Sequence, residues 1–148
     1  MYRHILVATD GSKLSLKAVR AAASLAASVG ARLTGLYVMP EYTAPLYGEA
    51  ALYIPDVSPR GFKEAVEKDA TAALAAVAKV AEAEEVQFAS LKVTNAQPWA
   101  AIIKAAQAKK CDLIVMASHG RRGLAGFVLG SETTKVLTHS KTHVLVCR

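Results

Sequence analysis

The residues best suited to chemistry lie late in the chain, in Met116-Ala117-Ser118-His119-Gly120-Arg121-Arg122-Gly123 and in Leu129-Gly130-Ser131-Glu132-Thr133. Glycine at a strand end lets backbone approach a ligand without interference from Cβ. A glycine and a serine at a helix start offer unpaired N–H groups and a hydroxyl to an anion. Small residues, a basic tip at Arg121-Arg122 and a helix start together suggest a phosphate cradle, and a branched side chain at Gly130 is expected to fall where phosphate sits. A second stretch, Thr9-Asp10-Gly11-Ser12, supplies a carboxylate and two hydroxyls. Asp10 alone serves equally as a turn residue or as a ligand-binder. Ser118 beside His119 has the composition of a nucleophile and base. Adjacent residues on one loop rarely align for proton transfer, and no orienting acid accompanies them. Neither a Walker A lysine motif nor a strand-one GxGxxG is present, which argues against the common phosphate-transfer and dinucleotide classes.

Elements able to position these stretches are legible on either side of them. His4-Ile5-Leu6-Val7-Ala8 and Leu113-Ile114-Val115-Met116 are unbroken apolar runs, as expected for strands buried on both faces of a parallel sheet. A helix beginning near Lys13 carries Leu14, Ala18, Ala21, Leu25 and Val29 at helical spacing, with Ser12 as N-cap and Gly30 as its stop. The second strand is centred on Leu33 to Val38. Gly61 to about Glu84 is a long helix with one apolar stripe (Phe62, Val66, Ala70, Ala73, Val77, Val80) and exposed pairs Lys63–Glu67 and Glu64–Lys68. Val86 to Val93 reads as strand three. The helix that follows tolerates Pro98 in its first turn and buries Trp99, Ile102, Ile103 and Ala106. Thr133 to His139 is the last helix and Thr142 to Cys147 the fifth strand.

This alternation predicts an α/β three-layer sandwich with right-handed crossovers. In such sheets ligands bind beyond the carboxyl ends of the strands, where the winding reverses. With the order 3-2-1-4-5, that crevice lies between strands one and four, and the two candidate stretches meet there. Pro40 to Arg60 breaks the pattern, with four prolines and three tyrosines. A loop of that length is a lid over the site or a poorly ordered insertion; Ala50 to Ile54 fits a short helical turn within it.

The chain of 148 residues is expected to form one domain, 1–148. With 53% hydrophobic and 20% charged residues it should fold. The net charge of +6 suits an anionic partner, but the cations are scattered and only 6% of residues are aromatic, which disfavours nucleic acid. Cys111 and Cys147 have neither CxxC nor zinc spacing and read as thiols in a reducing compartment. Met1 leads directly into a strand without a signal-peptide pattern, and no apolar run has the ~20 residues of a membrane span, so a cytoplasmic location is expected.

Ile5 through Ser12 and Cys111 through Ser131, with His143-Val144-Leu145-Val146, resemble the universal stress protein family across two separated motifs in the right order. The resemblance implies a five-stranded parallel sheet in the order 3-2-1-4-5, of the adenine nucleotide alpha hydrolase-like, Rossmann-like type. Its ATP-binding branch carries glycine, two residues, glycine, nine residues, glycine, then Ser or Thr. Gly120, Gly130 and Ser131 match, and Ala117 stands at the first glycine. A methyl there is tolerated at negative φ and otherwise crowds a ribose or phosphate. By resemblance, Thr9 borders the base, and Asp10 binds the ribose or helps place a metal. Val38 contacts adenine, and Met116 and Ala117 line the ribose. Gly120, Gly130 and Ser131, with the backbone of Glu132 and Thr133, hold the phosphates of ATP or AMP, with or without Mg2+, and Arg121 and Arg122 neutralise charge nearby.

The resemblance further implies a homodimer through the last strand, Val144-Leu145-Val146, whose apolar edge would otherwise invite aggregation. The leading expectation is thus a dimeric ATP- or AMP-binding stress-response protein with little or no turnover. The alternatives are a slow ATPase or phosphotransferase using Asp10 and a divalent metal, and a nucleotide-free interaction module.

Overall fold

A computed structural model of the chain describes residues 1–43, 58–120 and 129–148. Five parallel strands run β1 His4–Ala8, β2 Arg32–Met39, β3 Phe88–Thr94, β4 Leu113–Ala117 and β5 His143–Cys147. They lie in the order β3-β2-β1-β4-β5, as expected. Among the described residues four helices join them: α1 Lys13–Val29, α2 Pro59–Ala83, α3 Pro98–Ala108 and α4 Ser131–His139.

Alternation along the buried strands divides the core in two. Ile5, Val7, Leu33, Leu113, Val115 and Ala117 pack with Ala18, Val19, Ala22 and Val77 from α1 and α2. Leu6, Leu36, Ile114 and Met116 pack on the other face with Ile102, Ala105, Ala106 and Val136 from α3 and α4. Each large side chain buried here contributes about 1.5–3 kcal/mol. The many alanines of α1 (Ala18, Ala22, Ala23, Ala26) have no exposed surface and let that helix lie close on β1 and β4.

Helix ends follow local chemistry. The Ser12 hydroxyl accepts the Ser15 N–H, and Gly30 closes α1 at φ +68°. The second helix begins at Pro59, ahead of the expected Gly61, because Ser58 caps it by accepting the Gly61 N–H at 3.0 Å and Pro59 fits the first turn. Residues 44–57, most of the expected lid and its helical turn, lie outside the described residues. Strand three begins at Phe88, since Glu85 takes a positive φ of 55° and the Val86 N–H turns back to the Ala81 carbonyl. The expected pairs on α2 are exchanged: Glu64 pairs with Arg60, and Glu67 reaches Lys92 on β3 at 2.7 Å. On α3 the fully buried residues are Ala101, Ile102, Ala105 and Ala106, with Trp99 and Ile103 only partly covered.

Candidate functional site

At the carboxyl end of β1 the chain turns within two residues. The Thr9 N–H extends the pairing with β2 by donating to the Leu36 carbonyl at 3.0 Å, and its hydroxyl meets the Ser15 hydroxyl at 3.0 Å. Gly11 turns the chain at φ +77°. Asp10 Oδ1 accepts the Ser12 N–H at 2.9 Å, so Asp10 is a turn residue first. Its Oδ2 lies against Gly120: a Cβ built there would come within 2.7 Å of it. The two stretches picked out in the sequence therefore touch.

Beyond β4 the Ser118 N–H donates to the Cys147 carbonyl at 2.7 Å, and the Gly130 N–H returns to the Ser118 carbonyl at 2.8 Å. The Thr133 hydroxyl donates to the Ala117 carbonyl at 3.0 Å, fastening the first turn of α4 to the end of β4. Gly130 is needed for space: its Cβ would sit 3.2 Å from the His119 Cα and 3.3 Å from the Ser118 carbonyl oxygen. A side chain at 130 would therefore press on the chain's own backbone, which would have to give by a few tenths of an ångström.

The cleft between these walls has a volume of about 640 Å³. Every expected site residue among those described lines it: Thr9, Asp10, Val38, Met116, Ala117, Gly120, Gly130, Ser131, Glu132 and Thr133. Arg121 lies outside the described residues. Sequence reasoning missed Tyr37, Asn95, Ala96, Pro98 and Ile102, which complete the wall. The start of α3 follows a strand's carboxyl end as surely as Asp10 does, and that position was the available signal. A smaller hollow of about 240 Å³ at the amino end of the strands, beside His4, Arg32 and Lys109, gathers none of the candidates.

The helix starts differ in how they are satisfied. Side chains accept an N–H at the start of α1 (Ser12), α2 (Ser58) and α3, where Glu132 Oε2 takes the Trp99 N–H at 2.8 Å. Among the described residues no side chain caps the start of α4. Its first turn opens on the cleft, where N–H groups and the positive end of the helix dipole favour an anion. The opposite wall, with Ala8, Leu36, Val38, Ile102 and Met116, is apolar and suits a flat ring. Ser118 and His119 do meet, Oγ to Nδ1 at 3.2 Å, contrary to the expectation from their adjacency. Ser118 is nonetheless buried and only His119 lines the cleft, so no nucleophile is presented by that pair. Among the described residues no group of three or more His, Cys, Asp and Glu is placed to hold a metal. Burial pushes the Cys111 thiol up to about 11 and raises that of Cys147, leaving neither a ready nucleophile.

The universal stress protein family model matches residues 1–148. The chain belongs to that family. Universal stress protein YxiE of Bacillus subtilis is 34% identical, with all of both chains aligned. Universal stress protein MJ0531 of Methanocaldococcus jannaschii is 31% identical over all of this chain and 83% of its own. A crystal structure of a universal stress protein in complex with cAMP superposes with a TM-score of 0.73 at 30% identity, covering 99% of this chain and 97% of that one. Among the described residues no helix is long and apolar enough to cross a membrane.

Proposed function

We propose that the chain binds an adenine nucleotide as a signal in a cytoplasmic stress response, with little or no turnover. The observation that carries this reading is the uncapped start of α4 opening into the cleft. The adenine ring would lie on the apolar wall at Val38 and Met116, with Thr9 at its border and Asp10 near the ribose. The phosphate would take N–H groups of Ser131, Glu132 and Thr133, with Gly120 and Gly130 leaving it room. The related protein solved with cAMP supports a ligand of this class. Asp10, in the cleft beside Gly120, favours a second reading in which it holds a divalent ion on ATP and supports slow hydrolysis.

Calorimetric titration with ATP, ADP, AMP and cyclic AMP, with and without magnesium, tests both, followed by a phosphate-release assay. Binding without release is the expected result, and steady release that needs magnesium would establish the second reading. No heat and no thermal stabilisation at millimolar nucleotide would leave an interaction module without a nucleotide.

A further inference from the structure

Two carboxylates, Asp10 and Glu132, line the cleft, while no lysine or arginine does so among the described residues. The Glu132 carboxylate is not a loose surface group. It stands in the first turn of α4, its Oε2 accepts the Trp99 N–H at 2.8 Å, and its Oε1 accepts from Lys135 Nζ at 3.2 Å. The Trp99 ring in turn packs on His139 at the far end of α4, centroids 4.9 Å apart and tilted by 36°. Trp99 thus spans α4, and the carboxylate is pinned between the starts of two helices. The polar start of α4 attracts a phosphate, and a fixed negative charge sits one residue into that same turn. The N–H hydrogen bonds at the helix end engage only the one phosphate group that reaches them, whereas Coulomb repulsion from the full charge of Glu132 is felt by every charge the ligand carries and grows with their total.

We infer that Glu132 sets how much phosphate charge the cleft accepts, favouring cyclic or monophosphorylated adenosine over the triphosphate. This rests on the nucleotide-binding reading above and adds the selectivity of that site. Lys135 tempers the effect without cancelling it, since its side chain is 47% exposed and the Glu132 side chain 37% exposed.

Glu132→Gln keeps an oxygen to accept the Trp99 N–H and removes only the charge. Titrations of the wild type and this variant with cyclic AMP, AMP and ATP in EDTA separate charge from geometry. At neutral pH the three ligands carry roughly one, two and four negative charges. The variant is expected to bind ATP about tenfold more tightly while cyclic AMP changes by less than about twofold. The gain should shrink at high salt. Trp99, the chain's one tryptophan, gives a fluorescence readout, since its backbone N–H is bound to the Glu132 carboxylate. Equal changes for all three ligands, or none for ATP, would overturn the assignment. If the wild type binds none of them, the nucleotide reading itself falls and this one with it. If it binds but the variant's selectivity is unchanged, only this one falls.

Discussion

Ala117 belongs to the apolar cluster that includes Val115, Ala18 and Ala22, on the sheet face that α1 covers. Met116, its neighbour, turns to the opposite face with Ile102 and Ile114. Ala117 is also absent from the residues with positive φ, so its backbone is open to any L-residue. What the cleft meets at this position is a strand end held by the Thr133 hydroxyl, which donates to the Ala117 carbonyl. A glycine there would lose buried contacts and gain chain freedom in the unfolded state. Ala117→Gly is therefore expected to lower stability by about 0.5–1 kcal/mol. Nucleotide affinity should stay within about twofold. Paired thermal melts and titrations measure the two effects separately. A large gain in affinity would mean that the methyl obstructs the ligand after all.

At the scale of elements, the amino ends of β1 and β4 are stitched by side chains rather than by a turn. Asp112 accepts the N–H groups of Arg3 and His4 at 2.8 and 3.1 Å, and its own N–H returns to the His4 carbonyl. The His4 ring is buried with Nε2 at 2.8 Å from the Thr34 hydroxyl, and among the described residues Nδ1 makes no hydrogen bond of good geometry. Burial, then the charge of Arg32, hold His4 below its ordinary 6.5, against smaller opposing effects of the Lys109 backbone and Asp112. The unfolded chain therefore takes up the proton first, and stability falls as pH drops below 6.5 towards the lowered folded value. Asp112 acts lower on the scale. Desolvation raises its pKa, the Arg3 and His4 N–H groups outweigh that, and its stabilisation is lost only below 3.8. Melting temperature should thus decline between about pH 7 and about pH 5 in the wild type, and His4→Gln should flatten that slope. A slope that survives the substitution would place the titrating group elsewhere.

Most elements were legible because their signals are local. Ser12, Gly30 and the apolar runs of β1 and β4 state their roles by type and spacing. The start of α2 was missed because Pro59 was grouped with the prolines before it, although a serine followed by proline is also how helices begin. Glu132 was read only as backbone beneath a phosphate. Its bond to Trp99 joins residues 33 apart through a side chain and an N–H, a pairing that no spacing rule contains.

At the scale of the whole molecule, the sheet has two edges that meet different surroundings. Lys92 on β3 is paired with Glu67 of α2, a charge of the kind that discourages edge-to-edge association. The β5 edge, His143-Val144-Leu145-Val146-Cys147, carries no acidic or basic side chain other than His143, and Leu145 at its middle is 40% exposed. We propose a second copy of this edge as its cover, since antiparallel pairing about a two-fold axis would satisfy the unpaired backbone groups of both copies and close the assembly at two. Leu145 is the central residue of its strand, so such pairing brings the two leucines together near the axis. Leu145→Lys would place two like charges there without disturbing β4, because Val144 and not Leu145 packs in the core beneath α3 and α4. The expected outcome in sedimentation equilibrium is a wild-type dimer and a folded, monomeric variant that still binds nucleotide, as the cleft lies across the sheet between β1 and β4. A variant that remains dimeric would move the interface away from β5.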